Sequence, residues 1–322
     1  MMTVTDITVE HGSATMNVFV TGASGWIGSA VVPELIGAGH EVAGLARSEQ
    51  SAQRLEAAGA TVVRGDLDDA DGLAAAAAGF DGVIHLAFQH EVAFGGDFAA
   101  AAAADRRAVE AMGAALAGSD RPFVLASGTL GLTDGRVATE DDGLVPGAAV
   151  RTNPAGRRAA TALLALSLRG IGVRSSVLRF PPTVHGDGDN GLLATLVDIA
   201  RRRGAAGYVG DGANRWPAVH RSDAARLARL AVESAPSGSV LHAAADEGVA
   251  FREIAEAIGR HLGVPATSVA PGDAAEHFGF LGHFVALDSP VSASFTRELL
   301  GWAPAGPGLL DDLGKDHYYR PR

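Results

Sequence analysis

Residues 17–28 read NVFVTGASGWIG, a short strand-like run followed by a turn rich in glycine. Gly22, Gly25 and Gly28 stand at three-residue spacing, ahead of a stretch with helical periodicity. Gly22 would permit a tight turn, Gly25 would let the backbone approach a pyrophosphate, and Gly28 would let the helix pack closely on the strand. The free N–H groups of a helix N-terminus attract anions. The stretch therefore predicts a dinucleotide-binding strand–turn–helix unit, and a glycine-rich turn without a ligand is the alternative.

Short strand-like runs alternate with longer helical stretches over the first half of the chain. The runs are apolar on both faces, which is typical of a parallel sheet covered by helices on each side. We expect an α/β fold, a Rossmann-type doubly wound parallel sheet with a smaller C-terminal substrate domain. The strand-like runs occupy residues 17–20, 41–46, 61–66, 82–88, 122–127 and 173–180.

A change of rhythm after Phe180 sets the expected domain boundaries. The segment PPTVHGDGDNG (181–191) is dense in Pro, Gly and Asp and is predicted to be a loop. We predict a flexible N-terminal extension and two domains, of which the first binds NAD(P) and the second binds substrate. Their bounds are 1–15 for the extension, 16–180 with 217–244 returning to it for the first domain, and 181–216 with 245–322 for the second.

The composition limits the classes of partner. Of 322 residues, 47% are hydrophobic and 20% are charged, and the net charge is −11. An acidic chain repels phosphate backbones and anionic lipids, so we expect no nucleic acid and no membrane as partner. The lack of cysteine excludes disulfides and thiolate nucleophiles, which fits a reducing, cytoplasmic location. We expect a small-molecule substrate and no metal site, and the sequence leaves a homodimer open.

The end of the second strand indicates which cofactor is bound. It reads LARS (45–48), where an enzyme that reads NAD would usually show an acidic residue that holds the ribose hydroxyls. Arg47 and Ser48 suit the 2′-phosphate of NADP(H) instead, so NAD(H) is the less favoured cofactor. An ordinary surface arginine is the alternative. Asp66 and Leu67 end the third strand, where Asp66 could accept from the adenine amino group or cap the following helix.

These features resemble the short-chain dehydrogenase/reductase superfamily, in its extended or atypical, epimerase/dehydratase-like branch. The glycine loop carries the resemblance most specifically. Further motifs follow in the expected order: GDL (65–67), HLAF (85–88), ASGT (126–129), RFPPTVHGDGD (179–189) and AVHRSDAARL (218–227).

The resemblance implies a nicotinamide cofactor laid across the carboxyl ends of the strands. The expected cofactor contacts lie on the glycine loop, on the ends of the next three strands and on the helix after the fifth. They are Thr21, Gly22, Ser24, Gly25, Trp26, Ile27, Gly28, Arg47, Ser48, Asp66, Leu67, Leu86, Ala87 and Arg157.

The resemblance also implies that a Ser after the fifth strand, and a Tyr and a Lys four residues apart on the next helix, perform the acid–base chemistry. Ser127 matches the Ser, and Asn153 and Arg157 stand at the Tyr and Lys spacing. The chain has no tyrosine before Tyr208 and no lysine before Lys315, so the usual dyad is absent. Arg157 could hold the cofactor ribose, but an arginine stays protonated and shuttles no proton.

The sequence leaves the replacement proton donor open. Candidates are Thr129, His185, Tyr208 and His220 acting through water, of which only the histidines titrate near neutrality. A reaction such as hydride addition to an iminium ion or to an activated alkene would need no strong acid.

Four residues are candidates for contact with the substrate. Phe88 and Gln89 follow the fourth strand, and Tyr208 and Trp216 lie in a segment expected to face the cleft. Core packing is the alternative for both aromatic residues. The sequence predicts an NADP(H)-dependent oxidoreductase that reduces a small carbonyl, imine or enone. A nucleotide-sugar epimerase or dehydratase-like enzyme and a non-catalytic NADP(H)-sensing regulator are the alternatives.

Overall fold

The computed structural model describes residues 15–133, 135–143 and 154–320. The predicted N-terminal extension over residues 1–15 lies outside the described residues, except for its last residue, Thr15. None of the helices in the described ranges is long and apolar enough to cross a membrane.

A parallel sheet of seven strands forms the larger layer, in the order β10-β6-β5-β4-β1-β2-β3. Every neighbouring pair in this sheet is parallel, which confirms the predicted α/β fold with a Rossmann-type sheet. Strand order reverses beside β1, and open α/β sheets bind ligands outside the carboxyl ends of their strands at such a point. The strands of this sheet are β1 (Asn17–Thr21), β2 (Glu41–Ala46), β3 (Thr61–Arg64), β4 (Gly82–His85), β5 (Pro122–Gly128), β6 (Arg174–Phe180) and β10 (Ser239–His242).

Helices cover both faces of this sheet because each presents an apolar stripe to it. Helices α1, α2 and α8 bury residues such as Leu35, Leu55 and Leu227 on one face, and α3, α5 and α6 bury residues such as Leu73 and Met112 on the other. The helices are α1 (Gly28–Gly37), α2 (Glu49–Ala57), α3 (Ala70–Ala78), α4 (His90–Phe94), α5 (Phe98–Ala115), α6 (Pro154–Ser167), α7 (Leu192–Arg203), α8 (Arg221–Ser234), α9 (Phe251–Leu262), α10 (Ala274–Phe278), α11 (Ser294–Leu300) and α12 (Leu309–Leu313).

A second core forms around smaller sheets after β6. Here β7 pairs in parallel with β9, which pairs antiparallel with β11, and β8 pairs in parallel with β12. Helices α7 and α9 enclose this core, in which Trp216 packs edge-on against Phe251 with ring centroids 4.9 Å apart. The remaining strands are β7 (Thr183–His185), β8 (Ala206–Val209), β9 (Arg215–His220), β11 (Asp246–Ala250) and β12 (Ala266–Val269).

A row of polar residues lies at the carboxyl ends of five strands of the large sheet. Side chains alternate between the faces of a strand, and the residue two places before each of the five belongs to the core under α3, α5 and α6. All five therefore point to the face that α6 covers. They are Thr21, His85, Ser127, Arg179 and His242, and we searched for a functional site along this row.

Candidate functional site

The glycine loop has the geometry that a bound pyrophosphate requires. Gly22 has φ +67°, and a Cβ added to it would lie 2.8 Å from the backbone nitrogen of Ala87. A Cβ on Gly28 would lie 2.2 Å from the carbonyl oxygen of Gly22, so helix and loop touch there. A Cβ on Gly25 would meet only that carbonyl oxygen, at 3.1 Å, within 4 Å. The outer side of the loop at Gly25 is therefore open, and its backbone can be approached as a dinucleotide requires.

Trp26 anchors the loop through its side chain. Its indole N–H donates to the carbonyl oxygen of Val184 at 2.8 Å, and the guanidinium of Arg221 lies 4.3 Å from its ring centroid. The indole is thus used to join the loop to β7 and α8, which leaves only the Trp26 backbone for a cofactor. Ser24 and Ile27, the other two predicted contacts of the loop, are half-buried.

The end of β2 presents a cation to solvent. The Arg47 side chain is 64% exposed, and its guanidinium lies 3.2 Å from the carboxylate of Glu91, which is also exposed. Such surface pairs contribute little to stability and exchange readily for a stronger anion. Ser48 caps α2 by accepting the backbone N–H of Ser51 at 3.2 Å. Arg47 is therefore the exposed cation available to a 2′-phosphate, and Ser48 also serves the cap of α2.

Carboxylates after β3 shape the neighbouring turn. Asp66 accepts the backbone N–H of Asp68 at 3.1 Å, and Leu67 packs at the edge of the core under α3 and α5. The side-chain amide of Gln89 donates to Asp68 at 3.0 Å. The predicted substrate contact Gln89 thus joins two strand ends, and its amide is directed to the β3 side of the sheet.

A chain of contacts links the glycine loop to α6 through the row of polar residues. Thr21 Oγ1 accepts the backbone N–H of Ala87 at 3.3 Å and lies 2.6 Å from His85 Nδ1. His85 Nε2 lies 3.3 Å from one oxygen of Asp105, whose other oxygen lies 3.2 Å from the guanidinium of Arg158. If a neutral His85 carries its proton on Nε2, on the side of the carboxylate, Nδ1 accepts the hydroxyl proton of Thr21. His85 is completely buried and is therefore a structural member of this chain.

Arg158, the neighbour of the predicted Arg157, reaches the strand ends from α6. Its guanidinium donates to the carbonyl oxygen of Ala126 at 2.9 Å and lies 4.4 Å from the ring centroid of Phe88. Arg157 is half-buried on the same helix, and Asn153 lies outside the described residues. The predicted role of Arg157 at the cofactor stays a prediction, and Arg158 is a second cation of α6 that the spacing argument did not name.

Ser127 lies where the sequence predicts a substrate-orienting hydroxyl. It follows Ala126 at the end of β5 and is 9% exposed. Thr129 is fully buried, and its backbone N–H donates to the carbonyl oxygen of Phe180 at 3.0 Å. Neither hydroxyl forms a hydrogen bond within the part of the chain that the structure describes. Of the two, Ser127 is the one that a substrate oxygen could approach.

The candidate proton donors His185 and His220 form contacts of their own. His185 is completely buried on β7, and its Nδ1 lies 2.9 Å from the carboxylate of Asp312. His220 caps α8, with Nδ1 2.7 Å from the hydroxyl of Ser222. No solvent reaches the ring of His185, so we assign His185 to the structure of the second core rather than to catalysis. Burial lowers the pKa of His220, so less of it carries a proton to donate near neutrality.

The two predicted aromatic contacts also lie in the second domain. Trp216 is completely buried between β9 and α9, so it is a packing residue and not the wall of an open pocket. Tyr208 is half-buried on β8, with the guanidinium of Arg252 lying 5.5 Å from its ring centroid. Phe88 alone of the aromatic candidates lies next to the strand ends, between Arg158 and the ring of Phe98.

A second buried cluster, which the sequence did not predict, adjoins Ser127. Arg179 on β6 lies in register with Ser127 on β5 and with His242 on β10. Its Nη1 lies 3.2 Å from His242 Nε2, and His242 Nδ1 donates to the carbonyl oxygen of Ser292 at 2.8 Å. Burial, reinforced by the charge of Arg179, lowers the pKa of His242 to about 4. His242 is therefore neutral and accepts from Arg179.

The lowered pKa of His242 makes stability depend on pH. An unfolded histidine titrates near pH 6.5, so the neutral folded form contributes its full stability above that value and loses it as pH falls toward 4. The amide of His242→Gln can donate to Ser292 and accept from Arg179 without titrating. We expect this variant to lose about 2 kcal/mol less of its free energy of unfolding than the wild type as the pH falls. Urea unfolding of both proteins between pH 7 and pH 4 measures this difference. Parallel pH dependences of the two proteins would contradict the assignment.

Comparison with known proteins identifies the family. Residues 18–244 match the model of the NAD dependent epimerase/dehydratase family. The chain belongs to this family. Its members are nicotinamide-dependent enzymes, and the predicted resemblance to the short-chain dehydrogenase/reductase superfamily is confirmed. Within the described residues, no group of three or more His, Asp or Glu side chains is arranged to hold a metal ion.

Individual relatives of this NAD-dependent epimerase/dehydratase family member differ in what is known of them. The uncharacterized protein C2A9.02 of Schizosaccharomyces pombe is 44% identical over 94% of this chain and 100% of its own. The 4-hydroxy-2-methyl-3-oxo-4-farnesyl-3,4-dihydroquinoline-1-oxide ketoreductase of Stigmatella aurantiaca is 28% identical over 70% and 67%. The dTDP-glucose 4,6-dehydratase DesIV of Streptomyces venezuelae shares the fold, with a TM-score of 0.74 and 22% identity over 94% and 97%.

Proposed function

We propose that the protein is an NADP(H)-dependent oxidoreductase that reduces a small carbonyl, imine or enone. The observation that carries the proposal is the row at the carboxyl ends of the strands. There, the open glycine loop stands at one position, and Ser127, which is 9% exposed and forms no hydrogen bond through its hydroxyl within the described residues, stands at another. A nicotinamide bound across these strands would supply the hydride. The Ser127 hydroxyl would donate a hydrogen bond to the substrate oxygen or nitrogen.

Arg47 supports NADP(H) over NAD(H). Its guanidinium is exposed at the end of β2 and, among the described residues, forms an ion pair with the exposed carboxylate of Glu91 alone. A dianionic 2′-phosphate offers arginine a stronger, charge-assisted pair than a single surface carboxylate does. The residues at this strand end therefore suit the phosphorylated cofactor.

We predict that Arg47→Ala weakens binding of NADPH by about 1.5–3 kcal/mol and leaves binding of NADH almost unchanged. Calorimetric titration of both cofactors into wild type and variant measures the change. Arg54→Ala is the matched control, because Arg54 is also exposed on α2 and should leave both affinities unchanged. Equal affinities of the wild type for NADPH and NADH would contradict the cofactor assignment.

Reduction is favoured over the alternatives by what stands at the strand ends. The Stigmatella aurantiaca relative, which is 28% identical and spans 70% of this chain, is a ketoreductase, whereas the dehydratase DesIV, at 22% identity, supports the shared fold alone. An epimerase or dehydratase needs a base that first removes a substrate proton, and the tyrosines of this chain are Tyr208, Tyr318 and Tyr319. In the described structure, Tyr208 contacts Arg252 and Tyr318 hydrogen-bonds to Gly186, both in the second domain. No observation favours a regulator that only senses the cofactor.

The proposal is tested by NADPH oxidation with a panel of aldehydes, ketones, imines and enones. Epimerisation and dehydration leave the substrate at the same overall oxidation level, so only a reductase consumes NADPH in proportion to product. We expect such consumption with at least one class of the panel. NADPH binding without consumption across the whole panel would instead support the regulator.

A further inference from the structure

Arg179 is a buried cation beside the hydroxyl that we assign to the substrate. It lies on the strand next to Ser127, in register with it, and points to the same face of the sheet, because Val177 and Leu125 precede them in the same core. The residue is 3% exposed. Burial lowers its pKa to about 10, so the guanidinium remains charged near neutral pH.

The partners of Arg179 are neutral and occupy one of its three nitrogens. Nη1 donates to His242 Nε2 at 3.2 Å and lies 3.5 Å from the carbonyl oxygen of Glu140. Nη2 and Nε form no hydrogen bond with any residue in the described ranges. A Cβ at Gly143 would lie 3.4 Å from Nη2, so a glycine there leaves this edge of the guanidinium uncrowded.

Nearby carboxylates are held by other groups. Asp142 is bound by both terminal nitrogens of Arg136, and one oxygen of Glu140 accepts the backbone N–H and the hydroxyl of Thr296 at 2.9 and 2.7 Å. Both carboxylates attract Arg179 from a distance, but neither forms an ion pair with it in the described structure. A buried charge without a close counter-ion is costly, and the Nε–Nη2 edge of arginine matches the two oxygens of a carboxylate.

A second guanidinium lies near Ser127, but its charge is already balanced. Arg158 bonds to the carbonyl oxygen of Ala126, the residue before Ser127, and lies 3.2 Å from the carboxylate of Asp105. The chain as a whole carries a net charge of −11 and so repels anions in general. Arg179, which forms no ion pair among the described residues, is therefore the cation of this site that an anionic group of a substrate can pair with.

We propose that Arg179 binds a carboxylate of the substrate through its Nε–Nη2 edge, so that the enzyme prefers carbonyl compounds that carry an acidic group. The inference rests on the proposed reductase function and narrows its substrate class. A purely structural role, in which Arg179 only holds Glu140 and His242 in place, predicts no difference between acidic and neutral substrates.

Matched pairs of substrates test the inference. An aliphatic and an aromatic oxo acid, and the methyl ester of each, are offered to the NADPH-loaded protein, and kcat/KM is measured. We expect the wild type to favour each acid by about tenfold or more over its ester. We expect Arg179→Gln to remove this preference by lowering kcat/KM for the acids alone, and Arg179→Lys to retain part of it.

Arg174→Gln is the matched control, since Arg174 lies on the same strand and bonds to the carbonyl oxygens of Ala235 and Val232. This variant should leave the acid-to-ester ratio unchanged. Equal use of acids and esters by the wild type, or an equal loss for both in Arg179→Gln, would overturn the proposal.

Ligand-detected NMR measures binding of the same four compounds to the NADPH-loaded protein. It distinguishes failure of the proposed carboxylate site from failure of the proposed reductase function. If no compound is reduced but the acids bind and the esters do not, the reductase assignment fails and the carboxylate site stands. If acids and esters bind alike, the carboxylate site fails.

Discussion

Gly25→Val is expected to abolish binding of NADPH while the protein still folds. An added side chain at this position meets only the carbonyl oxygen of Gly22 within 4 Å, so little in the protein opposes it. A branched side chain would instead fill the space over the loop where the pyrophosphate must contact the backbone. Calorimetry should show no heat of NADPH binding, and circular dichroism should show an unchanged fold.

Gly37→Val is the matched control for this change. Gly37 ends α1, the helix that follows the loop, is exposed, and has no atom within 4 Å of its added Cβ. It should bind NADPH as the wild type does. Normal NADPH affinity in Gly25→Val would mean that the dinucleotide lies elsewhere on the protein.

Ser127→Ala is expected to lower kcat about 100-fold, the typical cost of losing one hydrogen-bond donor to the reacting oxygen. The hydroxyl has no hydrogen-bond partner among the described residues, so its removal breaks no contact that holds the fold. The affinity for NADPH should therefore stay at the wild-type value and serves as the internal control. Single-turnover kinetics with a substrate from the reductase panel measures the effect.

Full activity in Ser127→Ala would mean that β5 carries none of the chemistry. An equal loss of NADPH affinity and turnover would point instead to a structural role for the hydroxyl at the cofactor site. The central assignment of Ser127 stands only if turnover falls and cofactor binding does not.

The sheet and its glycine loop could be predicted because their signals are local. The spacing of Gly22, Gly25 and Gly28 encodes a turn, an open face and a close packing contact within eight residues. The apolar runs around them predict a parallel sheet, because this pattern too is formed by residues close in sequence. The end of β2 carries a local signal as well, since Arg47 occupies the position that a ribose-binding acid would take, and its role at the cofactor stays a prediction.

The buried polar contacts could not be predicted because their partners lie far apart in sequence. Asp105 on α5 contacts His85 on β4 and Arg158 on α6, and the sequence pattern of neither helix indicates these contacts. His185 looked like a loop residue, yet Asp312, more than a hundred residues later, covers it. Such pairings depend on tertiary packing, which the periodicity of one segment does not encode.

One sequence signal for Arg179 was present. In VRSSVLRF (173–180), Arg179 stands two residues after Val177, so strand alternation directs both side chains toward the core. Charged residues are almost never fully buried unless they are paired or functional. A cation at an inward-facing position of an otherwise apolar strand was therefore a reason to look for an anion there.

Hydride transfer from labelled cofactor tests the central claim most directly. The protein is incubated with NADPH that carries deuterium at the transferred position and with the carbonyl substrate that it consumes fastest, and the product is examined by mass spectrometry. The account predicts an alcohol product that carries the deuterium, formed in proportion to the NADPH oxidised. A product without deuterium, or binding of NADPH without reduction of any compound offered, would contradict it.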